Sequence, residues 1–196
     1  MSYTKLQDSY ASILEALNHC SANLACKINL KWIETTDIVD GQLKDVNGII
    51  VPGGFGSRGV EGKIQAIKYA RENNIPFLGL CYGMQLAVVE FARNVCNLKD
   101  ANTTEVDANT KYPVIDLLPE QLNIKEKGAT MRLGGQDIEI KNNTLAYELF
   151  KTNLIRRRFR HRYEITPKFI KLLEDKGIVF SGRATNGEIM QVLELK

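Results

Sequence analysis

The chain has 196 residues, 44% of them hydrophobic, 25% charged and 8% aromatic. That usage is ordinary for a folded domain and excludes intrinsic disorder, collagen-like repeats and low complexity. Lysine and arginine number 26 against 23 aspartates and glutamates, and the formal charge of +3 is too mild to mark a nucleic-acid binder.

Taken in chain order, residues 9–19 place Tyr10, Ile13, Leu14 and Leu17 on one helical face. Residues 28–33 alternate apolar and polar, as a strand does. Residues 48–52 form a short continuous apolar run of the kind found in buried parallel strands. A helix is predicted over 60–73, a second buried strand over 75–80, and a second helix over 84–95, apolar at Leu86, Val89 and Val95. This β-α-β-α rhythm predicts an α/β fold with a parallel sheet covered on both faces. The last third changes character. Residues 129–133 and 137–141 flank Gly134-Gly135 and read as a hairpin. Thr144 is placed to cap a short helix ending near Phe150. Residues 160–165 read as a strand, 167–175 as a helix opened by proline, and 178–181 and 188–195 as strands. With no repeat and no linker, a single domain is expected over 1–196.

The apolar runs fall far short of the roughly 18 residues of a membrane span, so no membrane partner is expected. The opening MSYTKLQDSY has no secretory n- or h-region. Four cysteines, Cys20, Cys26, Cys81 and Cys96, contain no C-x-x-C pair, and the two histidines, His19 and His161, stand at no metal-ligand spacing with them. No metal is expected, and free thiols point to a reducing, cytoplasmic setting.

Gly79-Leu80-Cys81-Tyr82-Gly83 lies between a predicted strand and a predicted helix. It is the thiol form of the nucleophile elbow. A tight strand-to-helix turn holds the nucleophile in a strained backbone position, and flanking glycines relieve crowding. The helix N-terminus offers unpaired N–H groups and a positive dipole, which lower a thiol pKa and stabilise an oxyanion. The bland alternative is a buried cysteine at a strand end.

Three other features compete for attention. Gly54-Phe-Gly-Ser-Arg-Gly59 matches G-x-G-x-x-G, but the preceding Pro52 departs from the dinucleotide fingerprint and no acidic ribose partner follows. Gly62-Lys63 precedes Ile64, which excludes a Walker A loop. The glycines can instead supply backbone N–H groups, because loops after neighbouring parallel strands meet at the carboxyl edge of a sheet. In residues 156–164, strand alternation puts Arg158, Arg160 and Arg162 on one face and Phe159, His161 and Tyr163 on the other. Such a row serves as a solvated edge or as a carboxylate clamp. His161 is an imidazole that could serve Cys81 as a base, while Glu105 sits in a polar loop of the sort that contacts ligands.

Together these stretches resemble a known family. Val51-Pro-Gly-Gly-Phe-Gly56, Arg58-Gly59-x-Glu61-Gly62-Lys63, Cys81-x-Gly-Met-Gln85, Phe91-Ala-Arg-Asn94, Asp100-Ala-Asn102-x-Thr-Glu105, Thr130-Met-Arg-Leu-Gly134 and Arg160-His-Arg-Tyr-Glu164 look like the C-terminal class I glutamine amidotransferase domain of CTP synthases. The resemblance runs from Tyr3 to Leu195. It implies a three-layer α/β fold with a mainly parallel central sheet and a nucleophile elbow. It also implies a glutaminase, in which Cys81 forms a glutamyl thioester and ammonia passes to a synthase domain for ATP-dependent amination of UTP to CTP. By resemblance Gly54 and the Tyr82 backbone match the oxyanion and glutamine-binding positions, and Tyr82, Gly83, Met84 and Gln85 line the glutamine site. Glu105 matches the acid that holds the substrate α-amino group, and Arg162 the arginine of the carboxylate clamp. Most relatives carry leucine where this chain has Tyr82. ATP, UTP and magnesium belong to the synthase domain, which the resemblance also makes the tetramer-forming part, so a fragment like this one is expected to be monomeric. The family's His-Pro-Glu is expected after the strand ending Leu193-Glu-Leu-Lys196 and does not occur in this sequence. The chain therefore reads as an excised domain, and hydrolysis without that imidazole is expected to fall by about 10²–10⁴. The alternative function is a glutamine-binding or regulatory module without turnover.

Overall fold

A computed structural model describes residues 7–36, 38, 41–117, 132–187 and 189–195. Backbone contacts divide the chain into two compact units, Met1–Gly83 and Met84–Lys196.

In the first unit a short 3₁₀ turn, Gln7–Tyr10, leads into helix α1, Ala11–Asn23. Tyr10, Ile13, Leu14 and Leu17 are half-buried while most of their neighbours are exposed, so the apolar face is the one the periodicity predicts. No α1 residue is fully buried. The expected strand at 28–33 does not form: this stretch pairs with no ladder among the described residues, and Leu30 and Trp32 remain 49% and 43% exposed. Alternation alone cannot make a strand where no neighbouring edge accepts its hydrogen bonds. Tyr10 packs on Trp32 instead, with ring centroids 5.7 Å apart.

Strand β1, Ile49–Val51, and strand β2, Phe77–Gly79, form a parallel pair in the register Ile49 with Phe77 and Val51 with Gly79. Helix α2, Val60–Glu72, connects them and buries Val60, Lys63, Ile64, Ala66, Ile67 and Ala70. These recur every three or four residues, the spacing of one helical face. Gly59, at φ +67°, opens the helix, and both Gly59 and Gly62 lie so close to Thr35 that neither has room for a Cβ.

Helix α3, Tyr82–Asn94, crosses the boundary between the units in its first turn. In the second unit, strand β3, Ala101–Thr103, runs parallel to β4, Tyr112–Asp116, and β4 pairs antiparallel with the two-residue β7, Glu164–Ile165. A four-stranded antiparallel sheet has the order β6-β5-β8-β9, from Leu154–His161, Arg132–Ile140, Ile178–Ala184 and Met190–Leu195. Ile138 and Ile140 of β5 and Ile155 of β6 form a small core with Ala146.

Two helices here follow the sequence closely. Helix α4, Leu145–Phe150, starts at Thr144, whose hydroxyl accepts from Tyr147 N at 3.2 Å. Helix α5, Pro167–Asp175, has the predicted bounds, opens on proline and buries Leu173. The hairpin at Gly134-Gly135 is corrected. Strand β5 runs straight through both glycines, pairing Gly134 with Phe159 and Gly135 with Arg158. The chain reverses between β5 and β6 instead, through the segment holding α4. The Arg156 guanidinium lies over Gly135, donating to Gly135 O at 2.9 Å. Residues 129–131 of the expected hairpin lie outside the described residues. The strand expected over 160–165 is broken between His161 and Glu164, so Arg158 and Arg160 share an exposed face while Arg162 falls after the strand.

Candidate active site

The parallel pairing of β1 with β2 puts the loops that follow them side by side in the first unit. Leu80 N donates to Val51 O at 2.9 Å, and Gly83 N donates back to Leu80 O at 2.9 Å, closing a tight turn around Cys81 and Tyr82. Cys81 sits at the head of this turn with φ +52°, in the left-handed region that non-glycine residues avoid. Its side chain is exposed, and it directly precedes the first residue of α3. Holding a cysteine there costs about 1–2 kcal/mol, and such strain concentrates at functional positions.

Gly83 has a steric reason to be glycine, while Gly53 and Gly54 stand in ordinary contact with the elbow. A Cβ on Gly83 would overlap the Val51 carbonyl oxygen, so only glycine lets the elbow close against β1. A Cβ built on Gly53 would lie 3.6 Å from Cys81 Cβ, and one built on Gly54 would lie 3.6 Å from Tyr82 Cδ1. The glycine loop and the elbow are therefore in van der Waals reach, as the parallel-edge argument predicts. Tyr82, 1% exposed, donates its hydroxyl to Gly56 O at 2.7 Å. The Lys63 ammonium lies over the same ring, 5.3 Å from its centroid, and burial pulls the Lys63 pKa down against the attraction of Glu34. Neither the Tyr82 side chain's role nor the burial of Lys63 was legible in the sequence. A tyrosine after a cysteine and a lysine in an exposed-looking helix give no such signal. A cavity of about 170 Å³ in this unit is lined by Trp32, Leu43, Ile50, Val51 and Lys63 among others, and neither Cys81 nor Gly54 lines it.

The second unit gathers other predicted residues. Gln85, 5% exposed, donates from Nε2 to Tyr163 O at 2.8 Å, which fixes the backbone just after Arg162. Met84 is half-buried. Glu105 follows β3 and donates its backbone N–H to Thr103 Oγ1 at 3.3 Å. The Tyr163 hydroxyl pKa is raised, first by burial, then by the charge of Glu105, with Arg162 opposing and Asp116 adding to the rise. An acid and a base from distant parts of the sequence thus act on one phenol.

His161 is held away from solvent by Tyr163 O at 3.3 Å and Glu164 Oε1 at 3.4 Å from Nδ1. Burial, partly offset by the Tyr163 hydrogen bond, lowers its pKa, and Arg132 adds to the lowering. Glu164 is driven the other way, to about 7, because burial outweighs the attraction of Arg132 at 3.7 Å. His19 is exposed on α1. Among the described residues no three His, Cys, Asp or Glu side chains are grouped to hold a metal ion, and no helix is long and apolar enough to cross a membrane.

Residues 5–196 match the family model described as glutamine amidotransferase class-I. The chain belongs to the class-I glutamine amidotransferase family. Within this family it is 57% identical over 199 residues to a CTP synthase of Sulfolobus acidocaldarius, across 99% of this chain and 37% of that protein. It is 56% identical over 197 residues to a CTP synthase of Pyrococcus furiosus, across 98% of this chain and 37% of that one. The chain thus spans little more than a third of the length of these relatives. A solved structure of the glutaminase domain of Trypanosoma brucei CTPS, with bound acivicin, matches with a TM-score of 0.87 at 29% identity, covering 100% of this chain and 76% of that one. The class-I amidotransferase fold and the likeness to the glutaminase domain of CTP synthases follow from these matches. The β2–Cys81–α3 turn sets an exposed cysteine directly before a helix N-terminus, with glycine backbone beside it.

Proposed function

We propose that this chain is the glutaminase domain of a CTP synthase and that Cys81 is its nucleophile. The observation that carries the reading is the exposed Cys81 side chain at φ +52°, between β2 and α3, with Gly53 beside it. The Cys81 thiolate attacks the side-chain amide carbon of L-glutamine. A C–S bond forms, and the carbonyl electrons move onto oxygen, where the backbone N–H groups of Gly54 and Tyr82 receive the oxyanion. The carbonyl re-forms as the C–N bond breaks, and ammonia leaves carrying a proton taken from solvent water. Water adds to the thioester, releasing glutamate and restoring the thiol.

Glu105 takes the substrate α-amino group and Arg162 its α-carboxylate. Opposite charges at those two positions match the two ends of an amino acid, and a guanidinium binds a carboxylate with paired hydrogen bonds. Gly83, Met84 and Gln85 line the side-chain path. In the longer relatives the ammonia serves the synthase portion, where ATP-activated UTP becomes CTP. The partners are accordingly L-glutamine and that synthase domain.

Calorimetric titration of the Cys81→Ala chain, which binds without turnover, tests the substrate. Saturable binding of L-glutamine, weakened by Glu105→Ala and by Arg162→Ala and absent for D-glutamine, is expected. Equal affinity for both enantiomers would contradict the assignment of the two charged residues.

A further inference from the structure

The Tyr82 side chain is not accounted for by a mechanism that uses only its backbone N–H. Its side chain is 1% exposed and stands beside Gly54 and Lys63 while its hydroxyl bonds Gly56. The ring edge faces Gly54, whose Cβ position lies 3.6 Å from Cδ1. The ring face carries Lys63 Nζ at 5.3 Å from its centroid. The hydroxyl donates to Gly56 O at 2.7 Å, the only end of the side chain able to make a directional bond. Residues 52–55 have no regular secondary structure, and Gly56, at φ +75°, has open space where a side chain would be. Such a backbone has many conformations to choose from.

We propose that Tyr82 is a positioning residue whose hydroxyl, anchored to Gly56 O, locks the glycine loop in the conformation that aims its N–H groups at the Cys81 acyl intermediate. The inference rests on the reading of Cys81 as an acyl-transfer nucleophile. One residue then serves the site twice: its main chain begins α3 beside the thiol, and its side chain reaches back to hold the opposite wall. The rigid aromatic lever has only two side-chain torsions, so little freedom is lost in fixing it. Loss of the tether frees the loop, and a misplacement on the order of 1 Å is enough to cost a donor its catalytic value.

Two reactions of the same thiol separate this role from a general effect on folding. Iodoacetamide alkylates Cys81 by displacement at a saturated carbon and develops no oxyanion. A γ-glutamyl p-nitrophenyl ester acylates it through a tetrahedral oxyanion: the C–S bond forms, the ester C–O bond breaks, and p-nitrophenolate leaves as the chromophore. Tyr82→Phe keeps the ring and deletes the hydroxyl, and Tyr82→Leu deletes both. The expected result is an acylation rate constant lowered about tenfold or more in Tyr82→Phe, further lowered in Tyr82→Leu, with the half-saturating ester concentration within about twofold of the parent. Alkylation by iodoacetamide stays at the parent rate in Tyr82→Phe, while amide hydrogen exchange over residues 53–57 quickens. Acylation of Tyr82→Phe at the parent rate would overturn the proposal, and so would an equal slowing of both reactions, which would mean that the thiol itself had moved. A parent chain alkylated but never acylated at Cys81 would instead overturn the nucleophile reading, and this inference with it.

Discussion

Gly83 stands where the carbonyl oxygen of Val51 would meet any Cβ, so the first turn of α3 can approach β1 only through a glycine. The hindering atom belongs to a strand backbone that cannot swing aside. Gly83→Ala is expected to destabilise the chain by about 2 kcal/mol or more through overpacking and to displace the turn that carries Cys81. Urea denaturation gives the first effect and the iodoacetamide rate at Cys81 the second.

Cys81 presents the opposite case, a residue kept at a conformational cost. Its φ of +52° suits glycine and not cysteine. Replacement by glycine removes the left-handed penalty and is expected to raise stability by about 1 kcal/mol, whereas Cys81→Ala retains it and is expected to leave stability within about 0.5 kcal/mol of the parent. Both are expected to lose acyl transfer. Thermal or urea unfolding of the two variants checks the difference, and equal stabilities would show that the turn holds no strain.

Glu164 makes stability depend on pH. It is buried, neither its Oε1 nor Arg132 Nη1 has a hydrogen-bond partner among the described residues, and burial raises its pKa from 4.5 to about 7. Below pH 4.5 folded and unfolded chains both hold the proton, and the contribution is complete. As pH rises to about 7 the unfolded chain releases the proton first, so the contribution is lost, to a limit of about 3 kcal/mol. His161 works in the reverse sense: burial lowers its folded pKa, so it costs stability as pH falls below its ordinary value. Comparing Glu164→Gln with the parent isolates the glutamate. The variant is expected to gain on the parent between pH 5 and pH 8, measured by chemical denaturation at both. A constant difference would contradict the raised pKa.

The start of α4 has two caps. Thr144 Oγ1 accepts from Tyr147 N, and the Glu194 carboxylate accepts from Leu145 N at 3.0 Å and Ala146 N at 3.1 Å. Glu194→Ala and Thr144→Ala are each expected to cost about 1 kcal/mol, read from urea midpoints. The double variant is expected to cost more than either, because the two caps satisfy different N–H groups.

Much of this arrangement was legible in advance where local chemistry decides it. Pro167 and the apolar spacing define α5, the Thr144 hydroxyl defines the start of α4, and the Gly-x-Cys-x-Gly pattern marks the elbow, where Gly83 leaves room for the Val51 carbonyl oxygen. Failure came where partners lie far off in sequence. Gly134-Gly135 looks like a turn, yet Gly135 lies against Arg156 on the neighbouring strand. Residues 28–33 carry the right alternation but find no edge to pair with. Strand β3 is short and polar, and β4 carries Pro113, a residue that argues against a strand, so neither stands out in the sequence. The tie between Tyr82 and Gly56 spans 26 residues and depends on a fold no local pattern encodes.

The most direct test of the central claim is an acid-quenched mass spectrum of the chain after exposure to the activated γ-glutamyl ester, followed by peptide mapping. The account predicts a single added glutamyl group, on the peptide holding Cys81, lost in Cys81→Ala and suppressed by excess L-glutamine. Glutamyl groups spread over Cys20, Cys26 and Cys81 in proportion to exposure, indifferent to L-glutamine, would contradict it.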